Sequence, residues 1–202
     1  MVIDCKTLAP IWEELATDFA AESNVVVAKV DADAENSKLT AALEGVSSYP
    51  TIKFYPRGST EGVAYSGGRS EKDLLDFLNE KAGTHRTPGG GLDARAGIID
   101  AFDKVIKKLG GTTNVAEITA EATKIAQELQ DTAEKKYAEY YVKVFAKLSE
   151  SKEYAAKELA RLQGLLNKGN LAKVKEDEMT AKSNILKTFE EKEQEKKAHE
   201  EL

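Results

Sequence analysis

Hydrophobic and polar positions follow two different periods along this chain. In "KTLAPIWEELATDFA", Leu8, Ile11, Trp12, Leu15 and Phe19 recur at three- and four-residue steps, which predicts one buried helical face. Pro10 lies inside that pattern and predicts a bend. "NVVVAKVDA" is β-branched and continuous, and reads as a buried strand. A short helix is expected in "NSKLTAALEGV", with Asn36 or Ser37 as cap and Gly45 near its end. "YPTIKFYP" and "GVAYSG" read as two strands joined through "RGSTE" into a hairpin. "SEKDLLDFLNEKAG" predicts a helix capped by Ser70, with Leu74, Leu75 and Leu78 inward and Gly83 as its stop. This half, residues 1–83, therefore orders as helix, strand, helix, hairpin, helix.

"THRTPGGGLDARAG", residues 84–97, has Pro, three consecutive Gly and no apolar period, and reads as a flexible linker. Downstream every apolar stripe is helical. The first runs Ile98, Ile99, Phe102, Val105, Ile106, Leu109 and is ended by Gly110 and Gly111. The second runs Val115, Ile118, Ala122, Ile125, Leu129, and the third holds Tyr137, Tyr140, Tyr141, Val144, Phe145 and Leu148. Leu159, Leu162, Leu165 and Leu166 form a fourth before "NKGN"; Leu171, Val174, Ile185, Leu186 and Phe189 form a less regular fifth. Five amphipathic segments with short links predict a helical bundle over residues 98–189. Residues 190–202, "EEKEQEKKAHEEL", carry little apolar payload and predict a frayed helical extension and exposed tail.

Composition narrows the function. Net charge is −6 with Lys and Arg interspersed among Asp and Glu, which argues against a nucleic-acid binder. No run approaches the roughly 18 apolar residues of a membrane span, so no membrane insertion is expected. One Cys and two His cannot build a closed Cys/His zinc site or an internal disulfide framework, so neither metal nor other cofactor is expected. The opening residues show no positively charged, then apolar, secretory leader. His85 and His199 have no companion for metal or acid–base work and read as surface residues, while Trp12 and Phe19 read as core.

"CKTLAPIWEELA" resembles the segment that follows the C-x-x-C active-site motif of the protein disulfide isomerase family. In that register Cys5 stands as the second cysteine, and Val2 occupies the place of the first, with Ile3 and Asp4 between. "VVVAKVDADAEN", "YPTIKFYPRG" and "YSGGRS" resemble that family's following strand, its cis-proline strand and its arginine loop, in the same order. Residues 98–189, through "EYAAKELARLQGLL" and "NILKTF", resemble the helical D-domain of some disulfide isomerase relatives and of a redox-inactive secretion chaperone of the endoplasmic reticulum. The implied fold class is α/β thioredoxin-like, incomplete at its N-terminus, plus an all-α bundle.

The resemblance implies thiol–disulfide exchange with unfolded or cysteine-containing secretory proteins in the lumen of the endoplasmic reticulum. In a dithiol site the first cysteine attacks from a helix N-terminus and the second resolves the mixed disulfide. Cys5 would be the surviving, resolving-type thiol; as a bare residue it reads equally as a small half-buried hydrophobe. Tyr49 and Pro50 would present a cis peptide to an extended substrate, against the ordinary alternative of a trans proline on an edge strand. Arg69 would stabilise the thiolate, or simply solvate. Lys29 matches a lysine that pairs with a buried glutamate on a preceding strand in the family; without that strand it is expected to solvate. "HEEL", His199, Glu200, Glu201 and Leu202, resembles the KDEL-type address read by a retrieval receptor.

Taken with the missing first thiol, the start at "MVID" suggests an N-terminally truncated isomerase, impaired in exchange, with exposed sheet edges and low stability. The alternative is a redox-inactive, peptide-holding chaperone or adaptor whose working surface includes Tyr137, Tyr140 and Tyr141; core packing is the other reading of these three rings.

Overall fold

The computed structural model describes residues 4–109, 114–130 and 132–200, with backbone alone for residues 132, 133, 193 and 195–200. The chain divides into two compact units, Met1–Asp93 and Ala94–Leu202.

In the first unit, α1 (Cys5–Asp18) runs through Pro10 and buries Leu8 and Leu15. α2 (Lys38–Leu43) follows, with Ser37 at its N-cap position but no side-chain cap bond, and Gly45 just beyond it. β1 (Lys53–Phe54) and β2 (Val63–Ala64) pair antiparallel in the register Lys53 with Ala64 and Phe54 with Val63. α3 (Glu71–Ala82) starts at a capping box, Ser70 accepting from the Asp73 N–H while Asp73 accepts from Ser70, and stops at Gly83. Leu8, Leu15, Phe19, Leu74 and Leu75 join α1 to α3, and Ile11, Trp12, Val25, Val27, Ile52 and Leu78 pack around them. Phe54 and Tyr65 rest on Phe77 of α3, with ring centroids 5.4 and 4.8 Å away.

Two expectations fail in this unit. Residues 24–32 form no strand. Val25 and Val27 turn toward the core while Val26 stays exposed, so the two-residue alternation is present. Among the described residues, however, no backbone ladder pairs with it, and a strand is completed by a neighbour's hydrogen bonds. Residues 84–93 are not a linker. β3 (Arg86–Thr87) and β4 (Gly91–Leu92) form an antiparallel hairpin, Arg86 opposite Leu92. Gly89 and Gly90 take φ of 81° and 71° at its tip, a conformation that glycine adopts without a Cβ clash. The glycine run is thus a tight turn.

Asn79 of α3 pins this hairpin, accepting from the Arg86 N–H and donating to the Arg86 carbonyl, both at 2.8 Å. The Arg86 side chain is almost fully buried. Its Nε donates to Glu22 at 2.7 Å and its Nη1 to the Gly90 carbonyl at 2.9 Å.

The second unit is helical. A 3-10 turn (Asp100–Phe102) leads into α4 (Asp103–Lys108), so the stripe predicted as one helix from Ile98 is divided. α5 (Val115–Glu128), α6 (Thr132–Glu150), α7 (Tyr154–Lys168) and α8 (Lys173–Glu200) complete it. α5 packs on α6, and α7 on α8. Phe102 stacks on Tyr141, centroids 4.3 Å apart and planes within 4°, and Phe145 meets Phe189 edge-on at 5.0 Å. α8 continues past Phe189 as regular helix where fraying was expected. Gly97 lies against α8 so closely that a Cβ would fall 2.8 Å from the Ala181 Cβ. Asn184 of α8 fixes the same approach by donating to the Ala96 carbonyl at 3.2 Å.

Candidate functional site

Cys5 is the first residue of α1 because Asp4 caps it. Asp4 has extended backbone, and its Oδ1 accepts the Thr7 N–H at 2.8 Å. That backbone bond, reinforced by the Thr7 hydroxyl, holds the Asp4 carboxyl below its usual range. The thiol is free and exposed, so the reading of Cys5 as a half-buried hydrophobe is not met.

The Tyr49–Pro50 peptide is cis. Thr51 Oγ1 donates across this bend to the Ser48 carbonyl at 2.6 Å, and Tyr65 N–H donates to the Ile52 carbonyl at 2.9 Å, joining the bend to the start of the β1–β2 hairpin. Tyr49 is 59% exposed. Arg69 Nη2 donates to the Pro50 carbonyl at 3.1 Å. The loop that carries Arg69 is braced by Tyr65, whose hydroxyl donates to the Gly68 carbonyl at 2.7 Å. The fold therefore brings Arg69 and Pro50 together. Among the described residues, no side-chain hydrogen bond or ion pair ties Cys5 to Arg69, Tyr49 or Pro50.

Polar partners elsewhere differ from the sequence reading. Lys29 pairs with Glu13 of α1 at 3.0 Å, on the surface. His85 does have a companion: its Nδ1 lies 3.3 Å from Asp93 Oδ1, across the β3–β4 hairpin. Tyr140 and Tyr141 are buried in the helical core and Tyr137 packs against it, so the three rings form no exposed patch. Burial pushes the Tyr141 phenol up to about 12. Glu201 and Leu202 lie outside the described residues, as do the side chains of His199 and Glu200.

Among the described residues no group of three His, Cys, Asp or Glu could hold a metal ion. Nor is any of their helices long and apolar enough to cross a membrane. The second unit has a cleft of about 400 Å³ between the segment around Arg95 and α8. Arg95, Lys107, Lys187 and Lys192 line it beside Asp103 and Glu191, so cationic side chains outnumber carboxylates in its wall.

Sequence reasoning missed three parts of the first unit. Asp4 as a cap was legible in principle, since an Asx residue three positions before a helical N–H is a start signal. The Arg86–Glu22 pair joins residues 64 apart and has no local signature. The third is the approach of Asp18 on α1 to Glu71 on α3.

The thioredoxin family model matches residues 3–80, and the model of the C-terminal domain of endoplasmic reticulum protein ERp29 matches residues 97–189. Protein disulfide-isomerase erp38 of Neurospora crassa is 56% identical over 188 residues, covering 93% of this chain and 51% of its own length. Protein disulfide-isomerase tigA of Aspergillus niger is 58% identical over 185 residues, 92% of this chain and 49% of its own. A probable protein disulfide-isomerase A6 of Medicago sativa is 39% identical over 188 residues, 92% of this chain and 50% of its own. The chain spans about half the length of the curated relatives it matches. Two domain types in the order expected from their motifs, with this identity to isomerases along nearly the whole chain, place it in the protein disulfide-isomerase family.

Proposed function

We propose that this chain engages cysteine-containing secretory proteins by thiol–disulfide exchange through Cys5, in the lumen of the endoplasmic reticulum, and that the exchange stalls after its first step. The observation that carries the reading is the exposed free thiol opening α1, in a unit that also holds a cis Tyr49–Pro50 bend secured by Arg69. Tyr49 and Pro50 offer the backbone to an extended client segment. Arg69 holds that bend through the Pro50 carbonyl, and its permanent positive charge suits it to steady a thiolate.

In the first step Cys5 thiolate attacks a client disulfide. A bond forms between Cys5 Sγ and one client sulfur, the client S–S bond breaks, and the departing client thiolate takes up a proton. Release needs a second thiol, and Cys5 is the only cysteine in the sequence. The lumenal address rests on the isomerase family, the ERp29-type domain and the "HEEL" ending, with His199, Glu200, Glu201 and Leu202 as the residues a retrieval receptor would read. The chaperone alternative loses the tyrosine surface on which it was based, since Tyr140 and Tyr141 are interior.

Incubation with a scrambled, disulfide-containing client tests the reading. We expect a mixed disulfide at Cys5 by mass spectrometry, its loss in Cys5→Ser, and little net reshuffling. Val2→Cys, which restores a C-x-x-C pair, should raise turnover. A parent chain that reshuffles as fast as the Val2→Cys variant, or unchanged activity in Cys5→Ser, would overturn it.

A further inference from the structure

Residues 28–32 of the first unit read Ala-Lys-Val-Asp-Ala. They continue the two-residue alternation that begins at Val25. Val25 and Val27 turn to the core and Lys29 pairs with Glu13 of α1 on that same inward side, whereas Val26 and Val30 are 88% and 73% exposed. Among the described residues no strand pairs with this segment.

Its two edges differ. In an extended chain the N–H and C=O of one residue point to one edge and those of the next residue to the other. The Ala28 carbonyl accepts from Trp12 Nε1 at 3.1 Å, so its edge is turned to α1. Lys29 and Asp31 present their main-chain groups at the other edge. There the Asp31 carbonyl receives only the Ala34 N–H, at 3.4 Å, and among the described residues no acceptor meets the Lys29 or Asp31 N–H. Such an edge is a template for another strand.

The five residues also state which strand fits. Laid antiparallel on itself, Ala-Lys-Val-Asp-Ala sets Ala28 opposite Ala32 of the second copy, Lys29 opposite its Asp31 and Val30 opposite its Val30. Opposite charges then meet on the inward face and valines on the outward face. A shift by two residues sets Lys29 on Lys29 or Asp31 on Asp31, and a shift by one places a charge opposite Val30. The charges thus accept one register and oppose its neighbours.

We propose that residues 28–32 are a self-pairing edge through which two copies of this chain join antiparallel, about a two-fold axis at Val30. Lys29 and the second copy's Asp31 exchange both main-chain hydrogen bonds, and the Val30 pair between them is the non-hydrogen-bonded one, where side chains approach closest. The Lys29 ammonium has three donors and serves Glu13 and the second copy's Asp31 together. So short a ladder gives a reversible dimer, with a dissociation constant on the order of 100 µM. Cys5 takes no part in it.

Sedimentation equilibrium of the full chain in the Cys5→Ser background, which has no thiol, tests the register. We expect a monomer–dimer equilibrium. Lys29→Asp and Asp31→Lys should each weaken it by roughly tenfold, because each sets like charges opposite one another. Mixing the two variants should restore association, since every facing pair is then opposite in sign; the double exchange in one chain should restore it too. A parent that stays monomeric at about 500 µM, or forms open-ended oligomers, would overturn the proposal. So would single variants that associate like the parent, which points to apolar contact through Leu39 and Leu43 instead, or a mixture that stays apart. Covalent trapping gives a second readout. Val30→Cys in the same background should oxidise to a linked dimer, because the two-fold axis brings its Cβ atoms within disulfide reach. Val26→Cys is on the same exposed face but lies opposite Ala34, outside the paired stretch, and should link much more slowly; equal rates would sink the register.

Discussion

The two units of this chain solve the burial problem with unequal success. Of the ten largest fully buried side chains among the described residues, the helical unit supplies eight, among them Tyr141, Phe102, Phe145 and Ile185, while the first unit supplies Leu15 and Phe19. Among the described residues the exposed large hydrophobics are distributed the other way. Val26, Val30, Leu39, Leu43, Tyr49, Tyr55 and Val63 belong to the first unit, and Val174 to the second. The contrast follows from where each element finds its hydrogen bonds. A helix closes its own backbone, so its stripe needs only an adjacent helix, whereas a strand buries both faces only once neighbours have paired with it.

The largest expected effect lies in the helical core. Phe145→Ala removes a ring with no exposed surface that meets Phe189 edge-on, and should cost about 3–5 kcal/mol. For a unit of this size the far-UV circular dichroism midpoint should then fall by roughly 12 °C or more. A shift no greater than that of an exposed valine substitution would dissolve the contrast between the units.

A smaller effect is expected where the first unit depends on polar pinning. Arg86→Ala leaves Glu22 without its partner and the Gly90 carbonyl without a donor, at a cost of about 3 kcal/mol, read from Trp12 fluorescence. Arg86→Lys keeps the charge but cannot present two N–H groups in a fixed fork, so it should fall between the parent and the alanine variant. If lysine restores the parent midpoint, the geometry of the fork is irrelevant and charge alone holds the hairpin.

These sites show what a linear reading reaches. Local grammar revealed the Ser70 cap, the Gly83 stop, the β1–β2 hairpin and the helical stripes from Ile98 to Phe189, because each is decided within a few residues. The Tyr49–Pro50 bend came from family motifs, since proline alone reads as trans. Residues 24–32 were misread because a continuous β-branched run favours extended backbone, while a strand requires a partner. Residues 84–93 were misread because Pro and Gly serve a linker and a tight turn equally; the buried side chain of Arg86, with its partner Glu22 far back in the chain, decides between them. The approach of Asp18 to Glu71 depends likewise on how α1 and α3 cross.

The smallest expected effect probes the exposed side of the comparison. Val26 and Leu43 are 88% and 79% exposed, so neither has much buried area to lose. The Val26→Ser, Leu43→Ser double variant should therefore stay within about 0.5 kcal/mol of the parent by Trp12 fluorescence, since polar replacement on an open surface removes no packing. Its solubility should rise, because accessible apolar side chains and unpaired strand-like backbone promote association. The informative departure is a midpoint that falls by more than about 1 kcal/mol. Dilution then identifies its origin: a loss that disappears at low protein concentration means that contacts between copies cover these side chains, whereas a loss independent of concentration means that the first unit buries them itself, and the contrast between the two units narrows.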